Sequence, residues 1–231
     1  MERELWRTLY LLARSLDKPW GHWRYSTAEI LGVYFWAVVH DRPTSWAADP
    51  TDWPEDLRPG WLPPQSTLSR RLRRPDTVEL MTAVEQHLVA LLVLGRYWVH
   101  MIDAKALPVS GVSRDPDISQ GRGVGGFQQG YKFYAIWNGG PMPLAWGLAP
   151  MNVSEKTMAR RLIPSLPGGG YLVGDPEYDA NPLYDLAAEA GFQLVAKKRR
   201  DRGRGGLGHR RQSPGRLRSI DLLNTKFGRA L

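Results

Sequence analysis

The stretch YWVHMIDAKALPV, residues 97–109, is where the sequence stops reading as helix and begins to read as strand. KFYAIW (132–137) and PLAWGLAP (143–150) continue as a second and a third strand. SEKTMARRLIPSL (154–166) then reads as a helix, GYLVGDPE (170–177) as a strand, NPLYDLAAEAG (181–191) as a helix and FQLVAKK (192–198) as a fifth strand. Three strands in meander followed by alternating helix and strand is an α/β order, and it predicts a mixed sheet flanked by helices.

Upstream of residue 96 the chain reads as a mainly helical region, residues 1–95, that carries seven of the ten tryptophans. Most of these are expected to anchor core and loops. Ser26, Thr27, Ala28 and Glu29 have capping-box spacing and open an apolar helix through Val39. The connection DRPTSWAADPTDWPEDLRPGWLPP is too rich in proline and aspartate for regular structure. QSTLSRRLRRPD reads as a short helix, and a second helix is expected over about 77–94, closed by Gly95, with Val78, Met81, Val84, Leu88 and Leu91 as its buried face.

The chain has 231 residues and 42% hydrophobic content, enough for one large domain or two modest ones with a real core. No apolar run reaches the roughly 18 residues that span a bilayer, and charges interrupt the N-terminal leucines, so a cytoplasmic protein is expected. Cysteine is absent, which excludes disulfides, thiolate zinc sites and cysteine nucleophiles. A formal charge of +8 makes a polyanionic partner, nucleic acid before membrane, the natural expectation.

Ser66, Thr67, Ser69, Arg70, Arg71, Arg73 and Arg74 form a basic, hydroxyl-bearing helix that reads either as a phosphate-contacting surface or as a solvated face. The same two readings apply to the glycine- and arginine-rich segment 199–218, a mobile clamp or a solvated loop, which Lys197, Lys198, Arg199 and Arg200 introduce. Gly121, Gly123 and Gly126 spell a GxGxxG pattern, but neither a preceding strand nor a following helix is expected there, so no phosphate cradle is read. The five histidines have no metal-ligand spacing, and no GxSxG elbow occurs.

Asp103 interrupts an apolar strand and Asp175 ends one. Each alone would read as a strand-end cap or turn. Brought together they would repel, and a bridging divalent cation relieves that; oxygen ligands without His or Cys favour Mg²⁺ or Mn²⁺. The strand order matches the ribonuclease H-like arrangement, which sets acids on the first and fourth strands side by side. Asp179 reads as a side-chain cap for the helix that follows it.

Asp103 with its strand, GYKFYAIW with Gly130, Tyr131 and Lys132, MNVSEK with Asn152 and Glu155, and GDPEYD with Asp175, Tyr178 and Asp179 together resemble the DDE transposases of bacterial insertion sequences, in the insertion-sequence-4/5-like branch. The resemblance covers residues 97–231, and LPPQSTLSRRLRR is similar to the DNA-binding region preceding the catalytic domain. It implies a ribonuclease H-like catalytic domain over 96–231 and Mg²⁺-dependent cleavage and joining of transposon ends. It also implies Asp103 and Asp175 as catalytic metal ligands, Lys132 as a DNA contact, a homo-oligomer on DNA, and nucleoid association.

The family's third acid is a Glu on a helix after the fifth strand. After Lys198 the sequence has no Glu, only Asp201 and Asp221, and Asp221 lacks the tyrosine and lysine of the family signature. The resemblance therefore sets the Glu beyond Leu231 and leads to the expectation of an incomplete or inactive transposase, with an uncovered apolar sheet face and poor solubility. Two other functions remain open: a non-catalytic DNA-binding regulator derived from a transposase, and another ribonuclease H-like nuclease acting on RNA or hybrids.

Overall fold

The computed structural model describes residues 1–18, 23–60, 62–92, 97–109, 111–123, 125–198 and 212–231. Two compact units result, Met1–Leu91 and Leu92–Leu231. Among the described residues no helix is long and apolar enough to cross a membrane.

The first unit is helical: α1 (Glu2–Leu16), α2 (Thr27–Val39), α3 (Thr44–Ala47), α4 (Gln65–Leu72) and α5 (Pro75–Leu92). The expected capping box is complete. Ser26 Oγ accepts from Glu29 N at 3.1 Å while Glu29 Oε2 accepts from Ser26 N at 2.6 Å. Two of the four orphan amides at the helix start are thereby satisfied, and the entry point of α2 is set. Trp6 stacks on Tyr10, and Trp36 stacks on Trp53 at 4.6 Å. Buried indoles need a hydrogen-bond acceptor. Trp6 Nε1 finds Gly32 O and Trp53 Nε1 finds Ala47 O, each at 2.8 Å.

The long proline-rich connection is more ordered than its composition suggests, holding α3 and a 3-10 turn at Pro50–Asp52. The buried stripe of α5 also differs from expectation. Thr77, Leu80 and Val84 are buried, whereas Val78 and Leu91 are exposed. The stripe follows the helical period through a threonine; Val78 is off that period, and Leu91, though on it, sits in the last turn of α5.

The second unit contains β1 (Val99–Pro108), β2 (Ser119–Gly123), β3 (Gly126–Trp137), β4 (Ala145–Pro150), α6 (Glu155–Leu162), β5 (Gly170–Gly174), α7 (Asn181–Glu189), β6 (Phe192–Ala196), α8 (Pro214–Leu223) and α9 (Lys226–Ala230). The result is a six-stranded mixed sheet flanked by helices, in the order β2-β3-β1-β5-β6, with β4 also paired to β3. Strands β1, β5 and β6 run parallel, and β3 is antiparallel to β1. Gly121, Gly123 and Gly126 fall in the β2–β3 hairpin, so the expected absence of a strand before them is corrected. Residues 214–218, expected within a mobile linker, form the start of α8.

Strand alternation separates two faces. Ile102, Tyr134, Ile136, Leu172, Phe192 and Leu194 belong to one core cluster with Met158, Leu162, Leu183 and Tyr184 of α6 and α7. The opposite face carries Met101, Leu107, Trp137, Trp146 and Leu148, each 39–51% exposed. The β6 edge is not bare, because Ser219 Oγ of α8 accepts from Ala196 N at 3.2 Å.

Gly130 lies where β3 changes neighbour, with Pro108 on one side and Ser119 on the other. Its φ is +152°, and an added Cβ would come within 2.3 Å of the Leu107 carbonyl oxygen. Gly130→Ala is therefore expected to cost about 2 kcal/mol or more in chemical denaturation, since backbone rather than a mobile side chain must shift. A change below about 0.5 kcal/mol would show that the ladder yields at this point.

Candidate active site

The parallel register between β1 and β5 ends with Ile102 opposite Gly174. The next position in that register is Asp103 beside Asp175. On the far side of β5, Gly174 is opposite Ala196, so the following step brings Lys197 beside Asp175. Asp175 and Lys197 directly follow the carboxyl ends of β5 and β6, and Asp103 stands midway along the longer β1, at the point where its pairing with β5 stops. Acid, acid and base thus fall in a row at the end of the parallel part of the sheet, where ligands of α/β folds bind. Each Asp also has a local role. Asp103 Oδ1 accepts from Ala104 N at 2.8 Å, and Asp175 Oδ1 accepts from Glu177 N at 2.9 Å, capping the 3-10 turn Pro176–Tyr178.

A third carboxylate, not assigned a role from the sequence, lies close by. Glu155 is the first residue of α6, where Ser154 caps the helix and the helix dipole favours a negative charge. Its Oε1 pairs with Lys132 Nζ at 3.3 Å, both side chains being four-fifths or more buried. Lys132, expected as a DNA contact, is therefore held by Glu155 in this structure.

Tyr178 connects the three acids. The side chain is 1% exposed, and its hydroxyl has no hydrogen-bond partner among the described residues. Burial first, then the charges of Glu155, Asp103 and Asp175, hold the phenol far above its ordinary value. Burial and Glu155 likewise push Tyr134 up to about 12. The tyrosine fits under the sheet because residue 174 is glycine: a Cβ there would stand 2.8 Å from the Tyr178 ring. Tyr178→Phe removes a buried donor without a partner, so equilibrium unfolding should show unchanged stability or a gain of up to about 2 kcal/mol. A loss above 1 kcal/mol would mean the hydroxyl is bonded in the folded protein.

Among the described residues, no group of three or more His, Cys, Asp or Glu side chains is gathered tightly enough to hold a metal ion by itself. Asp221 is exposed on α8 and is not among the charges acting on Tyr178. The expected helix-capping role of Asp179 is corrected. Ala180 occupies the cap position of α7, while Asp179 takes a two-pronged bond from Arg216 of α8, 2.6 Å at each oxygen, and a bond from Tyr184 Oη at 3.3 Å.

In the helical unit the basic residues divide. Arg71 is 3% exposed, and donates to Tyr25 O and Thr27 Oγ1, so it locks α4 onto the start of α2. Arg74 bonds Asp76 at 3.1 Å. Ser66, Arg70 and Arg73 are exposed, and Thr67 and Ser69 are half-buried. Lys197 and Lys198 are exposed beyond β6, whereas Arg199 and Arg200 lie outside the described residues.

Matched against protein-family models, curated proteins and solved structures, the chain resembles none of them closely enough to register.

Proposed function

We propose that the second unit is a ribonuclease H-like phosphoryl-transfer domain acting on DNA, of the DDE transposase kind, with a helical unit ahead of it that carries the arginine-bearing α4. The observation that carries this reading is the parallel register of β1 and β5, whose last pair, Ile102 opposite Gly174, is followed at once by Asp103 on one strand and Asp175 on the other. The order β4-β3-β1-β5-β6 across the sheet, with β2 paired to the start of β3, supports it as well.

Magnesium commonly binds through one or two carboxylates, with water and substrate phosphate completing its shell, so two aspartates that follow paired positions of neighbouring strands suit it. The buried Tyr178 hydroxyl, unpartnered among the described residues, is a donor that an internal water can satisfy. Asp103 and Asp175 would hold Mg²⁺ or Mn²⁺, and the ion supplies a polarised phosphoryl oxygen and an acidified water or 3′-hydroxyl. Glu155 adds a third negative group whose charge Lys132 offsets. Tyr178 keeps its proton at every physiological pH and acts as a donor. Lys197 and Lys198 offer phosphate contacts next to Asp175, whose partner in this reading is a DNA backbone.

The test is divalent-metal-dependent nicking of supercoiled DNA by the intact chain, beside an RNA–DNA hybrid. Nicking of the hybrid alone would replace the transposase reading by that of a nuclease that recognises the 2′-hydroxyl. DNA binding without nicking in Mg²⁺ or Mn²⁺ would leave a non-catalytic DNA-binding protein.

A further inference from the structure

The helical unit contains a concave cleft of about 580 Å³ whose walls include Trp23, Tyr25, Thr67, Arg70, Arg71 and Arg74, with no acidic side chain among the described residues that line it. Its volume is that of a pocket for one small organic group rather than of a groove that follows a duplex. Trp23 is half exposed. Arg71 and Arg74 set their guanidinium groups 4.9 and 4.8 Å from the Trp23 ring, so α4 and its end hold the indole from their side. An ion pair with Asp76 and a bond to the Tyr25 carbonyl hold the Arg71 side chain in turn, yet its buried Nε has no partner among the described residues. Arg70 lines the same cleft, is exposed, and makes no hydrogen bond or ion pair among the described residues.

Flat aromatic surface beside fixed guanidinium groups recognises a ligand that is itself flat and anionic. Stacking platforms flanked by arginine are how proteins hold unpaired nucleotides, because every base has a face to stack and every link has a phosphate. We infer that this cleft binds a single unpaired nucleotide of a DNA strand, its base against Trp23 and its phosphate at Arg70. The inference rests on the reading of DNA as partner and narrows it: the helical unit engages a frayed or single-stranded end, not only duplex backbone. Duplex phosphates would meet the outward side chains Ser66 and Arg73, whereas a base inside a stacked helix cannot enter the cleft.

The experiment is fluorescence anisotropy of the full chain in EDTA with a 3′-labelled dT12 strand and, separately, a blunt 12-base-pair duplex. Trp23→Ala is expected to weaken dT12 binding at least fivefold, the span from one stacked base reaching beyond a hundredfold, while duplex binding changes less than twofold. Trp23→Phe should recover most of the loss. Arg70→Ala should weaken dT12 binding and lower the slope of log K against log salt by about 0.7, the share of one phosphate on a single strand. Equal losses on duplex and single strand, or none on dT12, would overturn the inference and leave DNA binding standing. Failure of both probes to bind would remove the DNA partner altogether. Should Trp23→Ala unfold, the exposed Arg70→Ala decides on the same criterion. Stronger binding of a phosphotyrosine peptide than of dT12 also overturns it.

Discussion

Alanine at Asp103 or at Asp175 is expected to lower metal-dependent DNA nicking about a thousandfold or more. Removing one preorganised electrostatic partner of a transition state costs two to three decades, and here the partner also anchors the cation. The two substitutions should differ in stability. Asp103 is exposed, and its one backbone bond is to the adjacent Ala104 amide, so Asp103→Ala should leave the unfolding midpoint almost unchanged. Asp175 caps a turn, and losing such a cap costs about 1 kcal/mol. Asp175→Asn keeps the capping oxygen and removes the charge, so it should retain stability yet lose nicking. Glu155→Gln should also lower nicking, by a smaller factor, and free Lys132. Full activity in Asp103→Ala and Asp175→Ala would exclude the phosphoryl-transfer site.

Asp179→Ala is expected to destabilise the second unit by about 3–5 kcal/mol. The Asp179 side chain is 2% exposed and that of Arg216 15%, so truncating either strands a charge in a medium that solvates it poorly. The pair joins positions 37 residues apart and pins α8 to the segment after β5. An unfolding midpoint about 10 °C lower should follow for a unit of this size. The double variant Asp179→Leu with Arg216→Met should recover much of the loss, because removing both charges leaves none unpaired. A loss below 1 kcal/mol in Asp179→Ala would show that solvent reaches the carboxylate.

The helical first unit, the strand–helix alternation and the approximate limits of most elements were legible locally. Capping at Ser26 depends on four consecutive residues, and the strands after Tyr97 announce themselves by composition and length. The two aspartates were legible for another reason: charge in an apolar strand is costly, so it draws notice without any knowledge of its neighbours. Glu155 was not. It stands at the start of an amphipathic helix, where acids are common for the sake of the dipole, and nothing local separates it from an ordinary helix-start residue. Asp179 misled because an aspartate two residues before a helix has the look of a cap, whereas its partner Arg216 is remote in sequence.

What the chain determined by itself is therefore the identity of the elements and the positions of costly groups, since these follow from propensity, period and desolvation. Which groups meet was decided by tertiary structure. The parallel register of β1 against β5 makes neighbours of residues 72 positions apart, Asp103 and Asp175, and a one-residue slip would turn one of them to the opposite face. Packing of α6 over the sheet sets Glu155 against Lys132, and Gly174 leaves room for the Tyr178 ring. Arg71 shows the same division: four arginines within five residues read alike, and only folding buries one of them against Tyr25 and leaves Arg70 exposed on the lining of a cleft. Local sequence carries no term for such distances, because burial and register are properties of the assembled sheet and bundle.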